Sequence, residues 1–116
     1  RSHPPVHDDR SRWPILFIDA PPVPSETTLY DEILSTLNVP FRAQSSLSVR
    51  KNQVFTVLAE LKVRIIIIDE IHNLLTHRPA KQRDFLVVLK HMGNKLGVSF
   101  IAAGTPDAVV ALQSDR

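Results

Sequence analysis

At 116 residues the chain is one domain at most, with length enough to bury roughly two thirds of its unfolded surface. Apolar residues at 43% and charged residues at 22% are the balance of an ordinary soluble globular protein, and a net charge of +2 neither demands nor excludes nucleic acid. The absence of cysteine excludes disulfides and thiolate metal sites and fits a reducing, cytoplasmic setting. No apolar stretch is long enough to span a membrane, and the N-terminus lacks a signal-peptide core. The chain begins with Arg1 rather than Met, so something upstream is expected to have been removed.

Residues 1–13 carry Pro4 and Pro5 and no apolar period, and read as a flexible N-terminal arm. Pro14-Ile15-Leu16-Phe17-Ile18-Asp19 is the first predicted strand, with Pro14 tolerable at its opening position. Ala20-Pro21-Pro22-Val23-Pro24 forces an extended exit, because proline fixes φ and removes donors. Ser25 then caps a helix through about Leu37, with Leu29, Ile33, Leu34 and Leu37 on one face. A polar connection over 41–47 leads to a second helix, capped by Ser46 or Ser48 and running to about Lys62. Its apolar stripe is Val54, Val57, Leu58 and Leu61.

The next stretch organises the rest: Arg64-Ile65-Ile66-Ile67-Ile68-Asp69-Glu70-Ile71-His72-Asn73. Consecutive isoleucines without alternation predict a strand buried on both faces, the habit of a parallel sheet. Two carboxylates follow where the apolar run ends. Ligands of open α/β sheets sit at the carboxyl ends of strands. An apolar strand ending in Asp-Glu is the Walker B pattern of nucleotide hydrolases, in which Asp holds Mg²⁺ and Glu orients or deprotonates a water. The bland alternative is a buried strand followed by two solvated acids.

A short helix or loop from His72 to Pro79 precedes a longer helix from about Ala80 to Leu96, with Phe85, Leu89, Met92 and Leu96 inward and Gly97 closing it. Val98 to Ala103 is the third strand. Gly104-Thr105-Pro106-Asp107 reads as a turn into a last helix through Val109, Val110 and Leu112, with Thr105 at the N-cap and Pro106 at N1. This order predicts an α/β fold with a parallel three-stranded sheet and right-handed crossovers.

The blocks Ile65 to Leu75, Gln82-Arg83-Asp84-Phe85-Leu86 and Gly104-Thr105-Pro106-Asp107-Ala108, with Leu16 to Pro22 before them, together resemble the TniB family of transposon AAA+ ATPases, relatives of TnsC-type transposition regulators. The resemblance runs from Trp13 to Asp115. It implies a partial P-loop NTPase domain over 14–116, from Walker B to sensor 1, with ATP and Mg²⁺ as cofactors of the intact parent protein. By it Asp69 coordinates Mg²⁺ through water, Glu70 is the hydrolytic base, and Thr105 stands near the γ-phosphate at the sensor-1 position. It further implies a homo-oligomer that works on DNA and recruits a transposase.

One departure outweighs the matches. Such ATPases cradle phosphates with a Gly-x-x-x-x-Gly-Lys-Ser/Thr loop, and this chain has no Gly-Lys dipeptide, its only glycines being Gly93, Gly97 and Gly104. The expectation is a piece beginning after the phosphate loop and ending before the arginine finger, binding ATP weakly or not at all. In the family's 5-1-4-3-2 strand order the strands here form a contiguous half, in chain order and with the isoleucine strand in the middle. Helices on one side only would then leave one sheet face and one edge of the last strand open, a setting for self-association.

Other readings are a non-catalytic interaction module that keeps the fold, and a helicase of the Asp-Glu-x-His class. The helicase lacks its downstream Ser-Ala-Thr triplet. Pairs of histidines at His3 and His7, or His72 and His77, lack the convergent ligand set of a zinc site.

Overall fold

The computed structural model describes residues 13–105 and 108–111. Strands β1 (Ile15–Asp19), β2 (Ile65–Asp69) and β3 (Ser99–Thr105) pair parallel in the order β1-β2-β3, with β2 central. Between β1 and β2 lie α1 (Glu26–Thr36) and α2 (Leu47–Glu60). Between β2 and β3 lie α3 (His72–Leu75) and α4 (Pro79–Leu96). The α/β class, the parallel trio and its order are those expected from the sequence.

Local chemistry sets the helix ends. Ser25 caps α1 in a reciprocal box with Thr28: the Thr28 N–H donates to the Ser25 hydroxyl at 3.1 Å, and the Ser25 N–H to the Thr28 hydroxyl at 3.0 Å. Ser46, not Ser48, caps α2 through the Val49 N–H. α4 opens on Pro79 and closes at Gly97 with φ of 69°, a left-handed stop that glycine adopts without a Cβ penalty.

The register divides the sheet into two unlike faces. Leu16, Ile66 and Phe100 form one row, and Ile18, Ile68 and Ala102 the next, all buried. They join Leu29, Ile33 and Leu34 of α1, Val54 and Leu58 of α2, and Phe85, Leu89 and Met92 of α4 in one core. Each such side chain contributes about 1.5–3 kcal/mol by leaving water. On the opposite face Ile65, Phe17, Ile67 and Ile101 are only half-buried, and Ile15 is 46% exposed. β2 is therefore sealed on one face rather than two, a correction to the reading of its isoleucines, whereas the single-faced helix layer agrees with the expected topology.

The region after Gly104 departs from expectation. Ala108–Ala111 is a strand, β4, paired antiparallel to β3, so the helix predicted through Val109 and Val110 is not formed. Leu112, Pro106 and Asp107 lie outside the described residues. Val109 and Val110 are β-branched, and the free edge of β3 offers them a row of hydrogen-bonding groups, so strand pairing prevails over helix. The edge of β3 expected to lie open is thus occupied. Of the arm expected over 1–13, residues 1–12 lie outside the described residues, and Trp13 departs from it, packing on the core with its N–H donating to the Leu61 carbonyl at 2.9 Å.

Candidate functional site at the carboxyl end of the sheet

Asp19 and Asp69 are register partners at the carboxyl ends of β1 and β2. The chain cannot continue straight after Asp69. Glu70 adopts φ of 59°, a left-handed conformation uncommon for a residue with a Cβ, and its N–H turns back to the Asp69 Oδ1 at 2.9 Å. Asn38 and Lys62, just past the ends of α1 and α2, share this left-handed conformation at φ of 58°. The turn lifts the Glu70 side chain into solvent, where Oε1 lies 3.3 Å from the His72 Nε2. Asp69 is half-buried by comparison.

Three ties hold this loop. The Ile71 N–H donates to the Ala103 carbonyl at 3.2 Å, joining it to β3. The Asn73 amide donates to the Ala20 carbonyl at 3.2 Å, and the His77 Nε2 donates to the Pro22 carbonyl at 2.7 Å, joining it to the proline-rich exit of β1. The Ala20 N–H in turn donates to the Asp69 carbonyl at 2.8 Å, extending the β1–β2 ladder past the strand ends. Gly104 completes the arrangement. It interrupts the β3–β4 register as a bulge, and a Cβ placed there would meet the Ile71 Cγ2 at 2.7 Å. Bare backbone is what lets the loop sit this close.

Asp69 and Glu70 stand where the sequence placed them, at the carboxyl end of the central strand. Thr105 ends neighbouring β3, paired with Ala108; it is a strand residue and not the N-cap of a helix. The roles of Asn73, His77 and Gly104 were missed. Asn73 lay inside the highlighted Asp-Glu-Ile-His-Asn block, but its partner at Ala20 is 53 residues away and invisible to local pattern.

A further carboxylate approaches β1. Glu32, on α1, is half-buried beside Asp19, and its pKa is raised, first by burial and then by the Asp19 charge. This pair lies on the outer strand, where Asp19 is the register partner of Asp69.

A carboxylate such as Asp69 is a ligand type that Mg²⁺ takes, one or two at a time, with water and phosphate oxygens completing its octahedron. Among the described residues no group of three or more His, Asp or Glu is placed to enclose a metal without such help. A nucleotide fits less well, because no Gly-Lys phosphate loop occurs in these 116 residues. No described helix is long and apolar enough to cross a membrane.

No curated protein matches the chain. The sequence model of the family described as "Bacterial TniB protein" matches residues 1–116, the whole chain. With its parallel α/β sheet and the Asp-Glu turn at the end of the central strand, the chain belongs to the TniB family, of AAA+ type and tied to transposition.

Proposed function

We propose that these residues form the Walker B to sensor-1 half of an ATP-dependent DNA-transposition regulator, a cytoplasmic homo-oligomer that brings a transposase to target DNA. The observation that carries this is the Asp69–Glu70 turn at the carboxyl end of the central parallel strand. Bound Mg-ATP would supply the phosphoryl group to be attacked. Asp69 would hold the hydrated cation, Glu70 would take a proton from the attacking water, and Thr105 at the end of β3 would orient that water. The left-handed turn at Glu70 supports this division of labour, for it separates a half-buried, metal-suited carboxylate from an exposed, proton-accepting one. The phosphate cradle would come from polypeptide beyond these residues.

The test is ATP turnover by a TniB protein in which these residues accompany a phosphate loop. Glu70→Gln should retain ATP binding and slow hydrolysis on the order of 10²–10⁴-fold, the scale of a lost general base. Asp69→Ala should weaken Mg²⁺-dependent binding as well. Hydrolysis by Glu70→Gln at the wild-type rate would overturn the assignment. The absence of a Gly-Lys sequence favours a second reading, a module that keeps the fold for protein contacts alone. Under it, both variants leave transposition unchanged.

A further inference from the structure

Charge is not spread evenly over the helices. α1 carries Glu26, Asp31 and Glu32 and no cation. α4 with its N-cap carries Arg78, Lys81, Arg83, Lys90 and Lys95 against a single acid, Asp84. A net charge of +2 for the whole chain therefore conceals one acidic and one basic helix.

The basic helix presents its charge outward. Phe85, Leu89, Met92 and Gly93 face the core, and Arg83, Asp84, Val87, Lys90, His91 and Lys95 are exposed, three cations against one acid. At 1.5 Å per residue, Arg83, Lys90 and Lys95 span about 18 Å of rigid helix. None of the three is in an ion pair among the described residues. α2 extends the surface: the Lys51 Nζ lies 3.3 Å from the His91 Nε2 and 5.5 Å from the centre of the Phe55 ring, with no acid among these neighbours.

Cations left unpaired on one rigid face suit a polyanion better than other partners. A membrane-surface helix must insert an apolar face into the lipid boundary, and the apolar face of α4 is already spent on the core. A protein interface is built around buried aromatic or aliphatic anchors, and Val87 is the sole large exposed apolar residue of α4. A phosphate backbone needs neither. Its dense negative charge is met by Lys and Arg that displace counterions.

We propose that the outward face of α4, extended by Lys51 of α2, is the surface that meets a nucleic-acid backbone. The inference rests on the reading of this protein as a DNA-transposition factor and assigns that reading a surface. It lies on the outward side of the helix layer.

The experiment is fluorescence anisotropy of a short labelled duplex of mixed sequence, titrated with the 116-residue chain over a series of salt concentrations. Lys51→Gln, Lys90→Gln and Lys95→Gln are combined in one variant. A control variant combines Ser35→Glu, Arg42→Gln and Gln44→Glu, the same change in net charge placed on α1 and the loop after it. Circular dichroism verifies that both fold. The first variant should bind at least roughly tenfold more weakly, and its slope of log affinity against log salt should fall by about one for each phosphate no longer neutralised. The control should stay near wild type in both measures.

Equal weakening of both variants would reduce the effect to bulk charge and overturn the proposal. Wild-type binding unchanged in the first variant would overturn the surface and leave the transposition reading standing. No binding of duplex or single strand at low salt would overturn both. Salt-sensitive self-association in sedimentation, abolished in the first variant without any DNA binding, would replace nucleic acid by a second copy of the chain.

Discussion

Ile71 and Gly104 touch where the loop after β2 crosses the end of β3, with the Ile71 Cγ2 2.7 Å from where a Cβ on Gly104 would stand. Ile71 is 8% exposed, and its N–H is committed to the Ala103 carbonyl. A β-branched side chain has little rotamer freedom with which to yield. This close approach fixes the height of the Glu70 turn above the sheet.

Gly104→Ala should consequently destabilise the protein by about 1–3 kcal/mol, the usual range for overpacking. Most of that cost should vanish in an Ile71→Ala background. Urea denaturation of the two single variants and the double variant measures the coupling. Additive effects would mean that the two residues are not in competition for the same space.

The two sheet faces should respond differently to truncation. Ile68 is fully buried, so Ile68→Ala should cost about 2–5 kcal/mol. Ile67, one residue earlier, is half-buried on the other face, and Ile67→Ala should cost clearly less. Thermal or urea melts of both variants decide this. A cost at Ile67 equal to that at Ile68 would show that its face is sealed in solution.

Arg50 is the one buried charged residue among those described, 4% exposed. Its guanidinium donates to the Arg42 and Ala43 carbonyls at 2.8 and 2.9 Å, lies 3.2 Å from the Asp31 Oδ1 and stands over the Phe41 ring. Removing it in Arg50→Ala strands these acceptors, at a cost of about 1–3 kcal/mol. Arg50→Lys should recover only part, because one ammonium cannot reproduce the planar fork. Equilibrium unfolding of the two variants provides the measurement.

Glu32 makes stability depend on pH. Its folded-state pKa is raised above the ordinary 4.5, by burial first and the Asp19 charge second. A raised pKa means that the folded state holds its proton longer than the unfolded chain. The contribution is therefore most favourable below about pH 4.5 and is lost as pH rises through the folded pKa. At neutral pH the charge is a net cost. Glu32→Gln should raise the neutral-pH melting temperature, because it removes a charge that burial and the Asp19 carboxylate disfavour. It should also flatten the fall in stability between weakly acidic and neutral pH. An unchanged pH profile would place Glu32 in ordinary solvent.

Much of the parallel framework was legible in the chain. Ser25, and a serine at 46 or 48, announced helix starts, Gly97 a helix end, and Ile65 to Asp69 a strand, because capping and β-branched runs act within a few residues. Asp69 and Glu70 could be singled out for the same reason: an acid pair following an apolar strand is a local pattern. Tertiary structure decided what local pattern cannot contain. Val109 and Val110 became a strand only because the β3 edge was there to receive them. Arg50 was buried because a loop and α1 supply carbonyls and a carboxylate around it. Asn73 and His77 acquired partners at Ala20 and Pro22 only once β1 and β2 lay side by side. Each of these depends on segments distant in sequence meeting, and the energy of that meeting exists only after the chain has closed the loop between them.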